Sequence, residues 1–119
     1  MFDFEKLSAF QKIKQLNAGI YKELVLRSTT DPYVKDQIKR AALSCMLNLA
    51  EGSGRQSAAD KRHFYVMAKA SALETAAILL FLKEVTTQDE SRKLNEWLAE
   101  LEEVVKMLSG LIRALKVAN

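Results

Sequence analysis

One cysteine, one histidine, one proline and four glycines are all that the 119 residues contain of those types. A lone cysteine excludes an intrachain disulfide, and Cys45, among apolar neighbours, reads as a small core residue. One cysteine and one histidine leave a structural zinc site, or a Ser-His or Cys-His nucleophile, without the side chains it needs. His63 reads as an ordinary surface residue near a helix start. So few helix breakers leave room for few turns, and the elements must be few and long. Charge of one sign is scarce as well. Eighteen basic and 15 acidic residues give a net charge of +3, short of the concentrated basic face of most nucleic-acid-binding domains. No apolar run approaches ~20 residues, and polar residues interrupt Met1 to Phe10. Neither a membrane span nor an N-terminal signal is expected, and the expected location is the cytoplasm.

What is present is 49% apolar and 28% charged residues, the balance of a compact fold rather than a disordered chain. The length suits one domain, residues 1–119, with one core. Periodicity predicts four helices at about 4–27, 32–51, 58–85 and 88–117. Leu7, Phe10, Ile13, Ile20 and Leu24 form the buried side of the first, with Asn17 interrupting the seam. Asp31-Pro32 places an N-cap and a first helical residue at the start of the second. Its core stripe is Val34, Ile38, Ala41, Cys45 and Leu49, and Gly52-Ser53-Gly54 stops it. Ser57 caps the third helix, whose predicted core stripe is Phe64, Met67, Ile78 and Leu82, with Ser71 and Glu74 among them. Thr87 to Glu90 reads as a capping box for the fourth. There Leu94, Leu98, Leu101, Val105, Leu108, Ile112 and Leu115 alternate in 4-3 spacing, the seam of a left-handed bundle. Short turns force neighbours to run antiparallel. The expected fold is all-α, an up-down-up-down four-helix bundle.

Two helices carry apolar residues beyond their core stripes. Leu43, Met46, Leu47 and Ala50 form a second patch on the second helix, and Val66, Ala70, Leu73, Ala77 and Leu80 one on the third. Two independent second faces predict burial in a homo-oligomer.

On the second helix, Gln37, Arg40, Ser44, Asn48 and Glu51 make one polar stripe at ~100° per residue. Glu74 among apolar neighbours is costly unless paired. The expected solution is a buried network in which Glu74 pairs with Arg40, with Asn48, Ser71 and Glu51 in the same polar line, fixing helix register rather than doing acid–base chemistry. Gly52-Ser53-Gly54-Arg55, followed by Lys61 and Arg62, brings glycines and cations to a helix start, where phosphate can bind. The P-loop spacing is absent, and a solvated basic turn explains the same residues. Lys12, Lys14 and Lys22 are a further candidate patch. Tyr21, Tyr33, Tyr65 and Trp97 are scattered, which suits packing better than stacking on bases.

Arg40-Ala41-Ala42, Asn48-Leu49-Ala50-Glu51-Gly52, Arg55, Phe64 and Ala68-Lys69-Ala70-Ser71-Ala72-Leu73-Glu74 together resemble one family. It is the four-helix-bundle family encoded by intervening sequences within bacterial 23S rRNA genes, to which the accessory protein of diversity-generating retroelements is related. Lys39 stands where that family often has a second arginine, and Ala70 where it has a glycine. The first turn, Thr30-Asp31-Pro32-Tyr33, replaces its Phe-Pro and acidic pattern. The resemblance implies a homopentameric ring with basic residues about its axis, nucleic-acid binding, and a reverse transcriptase or RNA-processing enzyme as a conceivable partner. The expected function is therefore a non-enzymatic, cofactor-free oligomer binding RNA or DNA through basic surfaces. The alternative is a protein-interaction scaffold that does not touch nucleic acid.

Overall fold

The computed structural model describes residues 1–26 and 28–116. Regular structure among them is wholly helical. A 3-10 turn at Asp3–Lys6 leads to α1, Ser8–Ile20, which runs into a π turn at Tyr21–Val25; α2 is Pro32–Ser53, α3 is Ala58–Val85 and α4 is Gln88–Ala114. The expected ends at Arg27 and Val117 lie outside the described residues. α3 packs against α2 and α4, and α1 packs against the same two helices.

Local chemistry sets the helix starts. The Asp31 carboxylate accepts from the N–H groups of Tyr33 (2.9 Å) and Val34 (3.3 Å), with Pro32 opening α2. The Ser57 hydroxyl accepts from the Asp60 N–H at 3.0 Å and opens α3. Thr87 occupies the N-cap of α4, but its side chain makes no capping bond. Ser91 instead donates to the Thr87 carbonyl at 3.0 Å.

The first helix is not one continuous α-helix. Leu7 is extended (φ −79°, ψ 123°), and the turn before it folds Phe4 edge-on against Phe10, ring centroids 4.8 Å apart. Gln11 fastens this turn by donating to the Glu5 carbonyl at 2.8 Å. After Ile20 the wider π turn keeps Leu24 buried while Leu26 is exposed. Asn17 is buried, and its Nδ2 donates to the Ala42 carbonyl at 2.7 Å, tying α1 to α2.

Ile13, Leu16 and Ile20 of α1, Ile38, Cys45 and Leu49 of α2, and Leu101, Val104 and Leu108 of α4 fill the core. Trp97 and Tyr65 belong to it too, which removes both from any base-stacking surface. α3 departs from expectation. Its buried side is Tyr65, Ala68, Ser71, Ala72, Thr75, Leu79 and Leu82, whereas Met67 is 40% exposed and Glu74 is exposed. Bulk misleads here: Ala68 and Ala72 turn inward because small side chains let α3 approach its neighbours closely. By length and composition α3 is apolar enough to span a membrane, but 39% of its apolar window is buried in the fold.

A tight helix–helix contact lies at the end of α2. A Cβ added to Gly52 would stand 2.8 Å from Tyr65 Cε1 and 3.0 Å from Phe64 Cβ, while one added to Gly110 meets nothing within 4 Å. Gly52→Ala should therefore destabilise by about 1–3 kcal/mol, and Gly110→Ala, inside α4, should stabilise by about 0.5–1 kcal/mol. Urea melts of the two variants measure the opposite signs.

Candidate functional site

The expected polar network divides in two. Ser44 is its centre: Asn48 Nδ2 donates to the Ser44 carbonyl (2.9 Å) and hydroxyl (3.0 Å), and the Ser71 hydroxyl donates to Ser44 Oγ at 2.9 Å, joining α2 to α3. Thr75 donates to the Ser71 carbonyl at 2.8 Å, one turn back along α3. The expected Arg40–Glu74 pair does not form. Arg40 pairs with Asp36 at 3.3 Å, with its side chain 76% exposed, and Glu74 faces solvent. Neither charge needs burial, because the true core stripe of α3 lies to one side of Glu74. Glu51 also leaves the network and pairs with Arg55 at 2.5 Å.

Three of the six candidate cations are engaged within the chain. Arg55, bound to Glu51, lays its guanidinium 4.6 Å from the centroid of the Phe64 ring. Lys61 donates to the Ser53 carbonyl at 2.8 Å and the Gly52 carbonyl at 3.4 Å, capping the end of α2. The glycine loop thus binds its own lysine through its carbonyls. Lys12 pairs with Glu103 of α4 at 2.6 Å, which raises the lysine pKa and lowers that of the carboxylate. The pair is at full strength between the ordinary carboxylate and lysine ranges. It is lost as pH falls through the lowered Glu103 value or rises through the raised Lys12 value. Lys14, Lys22 and Arg62 are exposed. Lys12 and Lys14, two residues apart, point to opposite flanks of α1 and make no common patch. Arg62 lies instead on one edge of α3 with Lys69 and Lys83. Sequence reasoning missed that row, although the seven-residue step from Arg62 to Lys69 signals it.

The family model of the 23S rRNA-intervening sequence protein matches residues 5–110. The chain belongs to this family. No curated protein matches it. The match reaches into all four helices, and the family resemblance at Asn48-Leu49-Ala50-Glu51-Gly52 has a structural account. Asn48 bonds Ser44, Leu49 is fully buried, Glu51 holds Arg55, and Gly52 meets Tyr65 and Phe64. In this member of the 23S rRNA-intervening sequence family, the block holds α2 against α3.

Apolar surface remains open in several places, and on α2 Leu43 and Leu47 are 41% and 59% exposed. Along α3, Val66, Leu73 and Leu80 are 39%, 50% and 54% exposed, with Ala70 and Ala77 exposed between them. At one end of the bundle lies a groove of about 860 Å³. Its floor is apolar, with Leu24, Val34, Phe81 and Trp97, and Asp31, Glu90 and Lys93 stand among its polar lining residues.

Ser44→Ala and Ser71→Ala should each cost about 1 kcal/mol, the double variant costing less than both added, because they break one shared bond. Thermal melts of the three variants measure this. Burial pushes the Cys45 thiol up to about 12, so an aromatic disulfide reagent at pH 8 should leave native Cys45 unmodified and label it within minutes in urea.

Proposed function

We propose that this member of the family is a non-enzymatic, cytoplasmic homo-oligomer that binds RNA weakly and without strong sequence preference, through cations that assembly brings together. The observation that carries it is the exposed apolar face of α3. Val66, Ala70, Leu73, Ala77 and Leu80 form a continuous strip, and the core has no use for it. Such a strip on a small charged protein marks a contact surface. The protomer is read as an up-down-up-down bundle. Two residues separate α3 from α4, and four separate α2 from α3. So short a connection cannot return the chain to the start of a helix ~33–42 Å long.

Assembly changes the charge argument. A protomer with a net charge of +3 and scattered lysines is a poor nucleic-acid binder. A ring of five copies repeats every exposed cation around one axis, and Arg62, Lys14 and Lys22 then contribute several times over. Binding of this kind is dominated by phosphate contacts and weakens steeply with salt. The second reading is a scaffold for a protein partner such as a reverse transcriptase or an RNA-processing enzyme, with no direct contact to nucleic acid. The groove beside Phe81 and Trp97 favours it, because its carboxylates suit a protein segment better than a phosphate backbone.

Light scattering after size exclusion, followed by titration of labelled single-stranded RNA at two salt concentrations, tests both. The expected result is a pentamer-sized peak whose RNA affinity falls about tenfold or more between 50 and 200 mM salt, with Arg62→Ala flattening that dependence. An assembled protein that ignores RNA at both concentrations would transfer the assignment to the scaffold. A monomeric protein would remove the basis of both.

A further inference from the structure

The exposed strip of α3 has a finer order than hydrophobicity alone. Val66, Ala70, Leu73, Ala77 and Leu80 follow one another at 4-3-4-3 spacing, the seam of a coiled coil with large and small residues alternating. All five face solvent. Alanine at every second seam position lets another helix approach near the short end of the usual 8–10 Å range. The two flanks differ in character. Met67, Glu74 and Phe81 line one flank. Arg62, Lys69, Ala76 and Lys83 line the other. Lys69 and Glu74 have no ion-pair partner among the described residues.

The geometry points to a parallel, in-register packing of α3 against α3 of a second copy of this chain, with Lys69 of each paired to Glu74 of its neighbour. This rests on the oligomeric reading above and names its interface. In a parallel pair, each residue of the basic flank meets the residue five positions further on along the opposite flank of the neighbour. Lys69 then meets Glu74, Ala76 meets Phe81, and Arg62 lays its aliphatic stem along Met67. Every contact is complementary. An antiparallel pair brings like flanks together, placing Glu74 opposite Glu74 and Arg62 opposite Lys83, which is repulsive at both points. Parallel neighbours require a symmetry axis along α3, which is cyclic symmetry. Glu74, the one carboxylate in the strip, thus selects the orientation of the partner rather than completing the core.

Light scattering on Leu73→Glu, Lys69→Glu, Glu74→Lys and the Lys69→Glu/Glu74→Lys double variant tests this, with circular dichroism confirming that each remains helical. Leu73 and Glu74 are exposed and Lys69 is half-buried, so the fold should survive. Leu73→Glu should yield monomer. Each single charge reversal should raise the protomer concentration at half-assembly about tenfold, and the double variant should recover at least most of the loss. If Leu73→Glu assembles like the wild type, the oligomeric reading stands and the α3 interface is overturned. If Leu73→Glu dissociates but the double variant recovers nothing, the parallel pairing is overturned. A wild-type monomer overturns the interface together with the reading beneath it.

Discussion

Gly52 has room for a hydrogen and nothing larger where it meets Tyr65 and Phe64, and that contact fixes how α2 lies along α3. With the two helices held so closely, inward-facing side chains in between must be small. Ala41, Ala42 and Cys45 on one helix and Ala68 and Ala72 on the other are buried. The same approach brings Ser44 within hydrogen-bonding distance of Ser71 and lets Lys61 reach the last carbonyls of α2. It also decides which side of α3 is left over. A helix apolar on two faces has no intrinsic inside. Once its alanines are committed to close packing, Val66, Leu73 and Leu80 have to face outward.

Electrostatics follow the packing. Arg55, Lys61 and Lys12 all find carboxylates, carbonyls or an aromatic ring within their own chain. Exposed pairs of this kind stabilise little, but they occupy cations that a linear reading assigns to a ligand. Arg62, Lys69 and Lys83 remain in a row beside the apolar strip. Charge and hydrophobicity are adjacent on one helix face, so any contact made through the strip would carry these cations at its edge.

Much of this was legible in the sequence where one residue acts through its own chemistry. Asp31-Pro32 and Ser57 mark helix starts by their hydrogen-bonding capacity. Leu94, Leu101 and Leu108 of α4 are buried as its repeat predicts, while Trp97 and Val104 take the inner places expected for Leu98 and Val105, which are half-buried. The family motif could be recognised before its role was known. The core side of α3 could not, because Phe64 and Met67 outweigh alanines on any hydrophobicity scale while tertiary approach distance favours Ala68 and Ala72. The Arg40–Glu74 pair failed for the same reason. It was inferred to satisfy a buried carboxylate, and a shift of the core stripe by one residue left that carboxylate in water. The extended Leu7 and the π turn had no periodic signal at all.

Those two interruptions shape how the molecule opens. α2, α3 and α4 follow one another through connections of four and two residues, so separating any one of them strains its neighbours. α1 is bounded by an extended residue at one end and a π turn at the other, and it is held by side chains, with Asn17 bonded to the Ala42 carbonyl. Its release would leave the remaining three helices tied together, while taking Ile13, Leu16 and Ile20 out of the core. Amide hydrogens of α1 should therefore exchange through a lower-energy opening than those of α3, with solvent first entering the core along the cleft that α1 vacates.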